Sequence, residues 1–166
     1  IGLAFNSDGT KIFIAGGDSD IITEYTLGSA FDVATWTAGS SFNVSDFDDG
    51  LQDVHFNADG SEMYVVGVTH DNVYQFALET SFSLVGTITL RNSLYVGNEE
   101  TSPRGLTTNP SNDFIHITGI ESDRVIQISE AASGSFNETA ANNGAKSGHD
   151  TNSQEEVLLA EGIDTL

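Results

Sequence analysis

The sequence predicts an all-β chain made of about three four-stranded antiparallel units, and three observations lead there. A block near the start recurs 51 residues later and again, more worn, after a further 52. Within each copy, short runs rich in β-branched and aromatic residues alternate apolar with polar positions, the period of a half-buried strand. Between those runs lie tight-turn sequences, and no amphipathic stretch of ten or more residues intervenes to carry a helical crossover between parallel strands.

The first unit begins with Leu3-Ala-Phe-Asn as a short strand. Ser7-Asp8-Gly9 then supplies a turn in which glycine tolerates positive φ. Lys11 to Gly16 forms a second strand, Gly17 to Asp20 a second turn, and Ile21 to Leu27 a third strand, with a fourth expected over Trp36 to Val44. The second unit repeats this pattern: Phe5/Phe56, Asn6/Asn57, Asp8/Asp59, Gly9/Gly60 and Gly16/Gly67 are identical, and Tyr25/Phe76 and Phe31/Phe82 keep the register. Its fourth strand is expected over Leu84 to Leu90. In the third unit Leu106, Asn109, Ile115, Gly119, Asp123, Val125 and Gln127 hold the register, while Pro110-Ser111-Asn112 replaces the Asp-Gly turn.

Four antiparallel strands every fifty or so residues are the signature of a β-propeller blade, ~40–50 residues long. The expected organisation is blade 1 over residues 1–50, blade 2 over 51–104 and blade 3 over 105–162, with 163–166 opening a further blade. Residues 130–156 are small and polar without sustained periodicity, which predicts a long loop in place of the last fourth strand. Rings close with about four to eight blades. Ile1, where a complete product would carry Met, together with the broken final repeat, predicts a segment of a larger propeller; two copies completing a six-bladed ring is the alternative.

The run Leu3 to Gly16 followed by Asp20-Ile-Ile-Thr-Glu-Tyr-Thr-Leu27 resembles the YVTN-type, WD-repeat-like propeller repeat. The resemblance covers nearly all of residues 1–129, although the third unit lacks the Asp-Gly turn and no Trp-Asp dipeptide ends a third strand. It is a resemblance to repeats of surface-layer and secreted proteins and of phage tail or fibre proteins, and more loosely to lactonase-like propellers. It implies the following expectations: a non-enzymatic structural or adhesive module of a virion appendage or surface assembly, extracellular or on the virion surface, whose partners are protein subunits of a larger assembly or a cell-surface ligand. A secreted or surface-layer binding protein is one alternative, and a lactonase-like hydrolase is the other.

Composition narrows the chemistry. The net charge of −20 repels phosphate and excludes nucleic acid as a partner. No apolar run reaches the 18 residues of a membrane-spanning helix, and the absence of cysteine removes disulfides, thiolate metal sites and cysteine nucleophiles. His55, His70, His116 and His149 show no zinc spacing, and no Gly-x-Ser-x-Gly elbow or phosphate-binding glycine pattern occurs. His55 lies on the first strand of blade 2, facing the channel or the sheet interior, where blade 1 has Ala4; His116 replaces Phe13 and Tyr64.

No organic cofactor is expected, and calcium is the one ion the acidic positions suggest. Asp20, Asp71 and Asp123 recur just before each third strand, on one face of the disc. Their simplest role is a turn in which Asp bonds its own backbone; the functional alternative is an acidic ring for Ca²⁺ or a basic partner. Asp46, Asp48 and Asp49 gather in one loop and form the second candidate, without the spacing of a helix-loop-helix calcium motif. Asn43-Val-Ser45 and Asn137-Glu-Thr139 match the glycosylation triplet.

Overall fold

The structure is a computed structural model that describes residues 2–122, 124–130 and 136–146. The described residues form twelve strands in three four-stranded antiparallel sheets, each sheet ordered as its strands occur in the chain. Blade 1 comprises β1 (Leu3–Phe5), β2 (Lys11–Gly16), β3 (Ile21–Leu27) and β4 (Trp36–Asn43). Blade 2 comprises β5 (Leu51–Phe56), β6 (Glu62–Gly67), β7 (Asn72–Leu78) and β8 (Ile88–Tyr95). Blade 3 comprises β9 (Pro103–Thr108), β10 (Phe114–Gly119), β11 (Arg124–Glu130) and β12 (Phe136–Lys146). The helical element among the described residues is a 3-10 turn, Val33–Thr35, capped by the Asp32 side chain. Among the described residues no helix is long and apolar enough to cross a membrane.

The first hairpin of each blade forms for a readable reason. In blade 1 Gly9 takes φ +72°, Asp8 accepts the Thr10 N–H at 2.9 Å, and Asn6 Oδ1 accepts the Lys11 N–H at 2.8 Å. Phe31 then lies over the turn so closely that a Cβ on Gly9 would sit 2.4 Å from its ring. Blade 2 repeats every part with Gly60, Asp59, Asn57 and Phe82. Blade 3 keeps the Asn109 bond to the Phe114 N–H at 2.9 Å but puts Asn112 at φ +59°, using a non-glycine residue that enters this region readily.

Side chains alternate across each sheet, so each blade offers one face to the blade before it and one to the blade after it. Ala4, Phe13, Ala15 and Ile22 of blade 1 meet Val54, Phe56, Met63, Val65 and Phe76 of blade 2 in one buried cluster. Tyr64, Val66, Val73 and Leu94 on the opposite face of blade 2 meet Leu106, Ile115, Ile117, Ile126 and Ile128 of blade 3 in a second. Strands β1, β5 and β9 stand side by side, as the inner strands of a propeller do.

Two stretches differ from their expectations. The fourth strand of blade 2 runs from Ile88 to Tyr95, later than expected, because Leu84 is drawn into the core and its N–H is held by Glu24 at 2.8 Å. Residues 136–146, expected as loop, form β12 against β11, with register shifts along the pair. Backbone pairing there supplies what the small polar side chains do not advertise. The rest of the expected loop, residues 131–135 and 147–156, and the residues 163–166 expected to open a further blade lie outside the described residues.

Candidate functional site

On β5, Asp53 and His55 are two residues apart and share a face. His55 pairs in register with Tyr64, and Asp53 reaches blade 3, where its Oδ2 accepts the Leu106 N–H at 2.9 Å. A bulge at Gln52 turns that side chain so that its Oε1 accepts from Arg104 at 2.8 Å, joining the start of β5 to the start of β9. Arg104 donates also to Ser102 Oγ at 3.2 Å, and among the described residues it forms no ion pair with a carboxylate. In a chain of net charge −20, that leaves an exposed guanidinium on the inner strands held by neutral groups alone.

Burial sets the protonation of the pair on β5. It pushes the Asp53 carboxyl up, against the pull of the Leu106 and Val54 N–H groups and of nearby His55. It pushes the His55 imidazole down, against the attraction of Asp53. His55 is therefore neutral at pH 7 and has a lone pair free for proton abstraction. Beside it, an open cleft of about 390 Å³ is lined by Leu3, Phe5, Ser7, His55, Asn57 and Phe82, among others.

Five of the six expected metal positions lie among the described residues, and those five do not converge on one site. Asp48 is almost fully buried, and its two oxygens accept the N–H groups of Gly50, Thr69 and His70 at 2.9–3.1 Å. Its loop neighbours Asp46 and Asp49 are exposed. Asp20 and Asp71 take the left-handed conformation at φ +51° and +52°, as turn residues do. Asp20 Oδ1 accepts the Leu51 N–H at 3.2 Å. Asp123 lies outside the described residues. Among the described residues, no three His, Asp or Glu side chains are grouped so as to hold a metal ion.

Sequence reasoning marked His55 but passed over its companions. Asp53 was legible as a charged residue two positions from His55 on an inner strand, and Arg104 as one of only five basic residues. Gln52 carried no signal, because the bulge that aims it is a property of strand pairing.

No family model matches the chain, and no curated protein matches it. Solved structures do. A putative 6-phosphogluconolactonase from Bacteroides uniformis matches with a TM-score of 0.64 and 15% identity, over 83% of this chain and 38% of that one. The periplasmic gluconolactonase of Pseudomonas aeruginosa matches at 0.60 and 18% identity, over 85% and 37%. The β-propeller domain of Cps50 (Swd1) from Myceliophteria thermophila matches at 0.54 and 11% identity, over 82% and 41%. The fold is thus a β-propeller segment, and the chain spans under two fifths of the length of those lactonase-named structures. These matches correct the expectation of a non-enzymatic virion or surface module. The structures it resembles include propellers named as lactonases, which withdraws the reading that the chain is no part of an enzyme.

Proposed function

We propose that these blades belong to a lactonase-like propeller hydrolase, built from YVTN-type repeats, and that β5 and β9 carry part of its site. The observation that carries the reading is the neutral, half-buried His55 beside Asp53, with the carboxylate-free guanidinium of Arg104 on the adjoining inner strand. The names of the matched propellers support the reaction class.

The chemistry follows from those groups. His55 takes a proton from water as the water oxygen attacks the lactone carbonyl carbon. The carbonyl oxygen becomes an oxyanion, and the Arg104 guanidinium stabilises it or the carboxylate product. Collapse of the tetrahedral intermediate breaks the ring C–O bond, and the ring oxygen recovers the proton from His55 to give the open hydroxy acid. Asp53 favours the transient imidazolium by charge, since its attraction already raises the His55 pKa against burial.

The test is hydrolysis of glucono-1,5-lactone by the protein carrying these blades, followed above the uncatalysed rate as a function of pH. The rate should rise with pH through a value below the ordinary histidine 6.5 and be flat at neutrality. Arg104→Ala should raise KM or lower kcat by about 10-fold or more. A flat profile through that range, or an unaffected Arg104 variant, contradicts the assignment.

A further inference from the structure

The face of blade 1 turned away from blade 2 repeats a face that blade 2 keeps covered. Leu3, Phe5, Ile12, Ile14 and Tyr25 stand where blade 2 has Val54, Phe56, Met63, Val65 and Phe76. In blade 2 that row lies under Ala4, Phe13, Ala15 and Ile22 of the preceding blade. Leu3 is 58% exposed and Ile14 36%, whereas Val54 and Val65 are each 1%.

A second feature accompanies each covered face. Asp48 and Glu100 occupy equivalent places on the connections leaving blades 1 and 2, and each reaches forward to the second turn of the next blade. Asp48 accepts the Thr69 and His70 N–H groups, both at 3.1 Å. Glu100 accepts those of Glu121 at 3.2 Å and Ser122 at 3.0 Å. Glycine is required beneath each carboxylate: a Cβ on Gly67 would lie 2.1 Å from Asp48 Cγ, and one on Gly119 2.1 Å from Glu100 Cδ. Blade 1 has the same turn, with glycine at position 16 and Asp20 left-handed. Its amides equivalent to those of Thr69 and His70 belong to Asp18 and Ser19. Among the described residues the Asp18 N–H meets no acceptor, and the Ser19 N–H donates a long hydrogen bond, 3.3 Å, to Gly16 O.

We propose that this face seats another blade of the same repeat, and that the seated blade delivers a carboxylate to the Asp18 and Ser19 amides. The occupant must offer small and aromatic residues in the Ala4, Phe13, Ala15, Ile22 arrangement and carry Asp or Glu on its outgoing connection. Those are attributes of this repeat. Asp48 and Glu100 each act on the blade directly following in sequence, so the seated blade is one supplied in cis on the N-terminal side.

Placing a copy of residues 1–51 directly ahead of Ile1 brings the copied Asp48 into register with the turn at 16–20. Hydrogen exchange at the Asp18 and Ser19 amides should slow by about tenfold or more, and carrying Asp48→Asn in the copy alone should restore fast exchange at those two amides. Unchanged exchange in the extended chain overturns the proposal. So does equal protection in the unextended chain that appears only as it self-associates, which gives the seat to a second copy. The native chain provides a check that does not depend on the extension: Asp48→Asn should speed exchange at Thr69 and His70 while sparing Glu121 and Ser122. Unchanged exchange at Thr69 and His70 removes the carboxylate part of the claim.

Discussion

The two seams between blades are copies of one design, and where they differ is instructive. At the first seam, Asp20 Oδ1 accepts the Leu51 N–H at 3.2 Å. At the second, the residue equivalent to Leu51 is Pro103, which has no N–H, and Asp71 Oδ1 is buried without a partner among the described residues. Burial first, then the nearby Asp48 and Glu100 carboxylates, push the Asp71 pKa up, with His70 opposing. The seams also differ in filling. The first is packed with rings, Phe13 on Phe56 at 4.4 Å and Phe76 between Phe42 and Phe47 at 5.2 and 5.0 Å. The second is filled chiefly by isoleucine, valine and leucine. Lys11 adds a cross-seam tie at the first, donating to Phe82 O at 2.8 Å while pairing with Glu24 at 2.7 Å. One repeat therefore yields a well-satisfied junction and a less satisfied one, through a proline and a change of side-chain shape.

The largest expected effect is on the aromatic seam. Phe13, fully buried, should cost about 3–5 kcal/mol on replacement by Ala, and Ile117→Ala at the second seam about 2–5 kcal/mol. Denaturant unfolding of both variants measures the difference; equal or inverted costs would remove the contrast drawn between the seams. Next comes Gly9→Val. Positive φ and the overlying Phe31 ring make it cost about 1–3 kcal/mol. Asn112→Gly at the equivalent turn of blade 3 should be neutral or slightly stabilising, since glycine enters that region without strain. A melting temperature unchanged by Gly9→Val contradicts the turn assignment.

The smallest effects separate the two aspartates. Asp20→Asn should destabilise by about 0.5–1.5 kcal/mol by weakening a made bond, whereas Asp71→Asn should be neutral or stabilising by relieving repulsion from Asp48 and Glu100. The pH dependence carries the same contrast. The raised Asp71 pKa favours folding most below its ordinary 3.8, and that contribution is lost as pH rises through the folded value. Glu100 runs the other way. Burial raises its pKa, but the Ser122 hydroxyl and the Ser122, Ser102 and Glu121 N–H groups together hold it below its ordinary 4.5. Its contribution is present above that value and lost as pH falls through the folded one. Relative to the parent, Asp71→Asn should therefore gain stability as pH rises from 3.8, and Glu100→Gln should lose it as pH rises towards 4.5; the same sign of change in both sinks this account of the second seam.

The propeller architecture was legible because repetition is robust: Asn6, Asp8 and Gly9 recur as Asn57, Asp59 and Gly60, and they build the same hairpin. Strand β12 was not legible, because Phe136 to Lys146 holds its place by backbone pairing with little side-chain alternation. The acidic residues were legible in position but not in role. Asp48 looks like a loop carboxylate in sequence, and its commitment to backbone amides of the next blade depends on a contact 22 residues away. His55 was legible as an inner-strand residue, while its neutral state rests on burial; the Arg104 bond to Gln52 on the same strand depends on a bulge.

The assignment of a hydrolytic site to β5 is tested most directly by the rate of lactone hydrolysis at pH 7 in the protein carrying these blades and in its His55→Gln variant, with folding of both confirmed by identical unfolding midpoints. The account predicts hydrolysis above the uncatalysed rate and a loss of about 10²–10⁴-fold in kcat for the variant. A rate that His55→Gln leaves intact, or no hydrolysis by the parent protein, would contradict it.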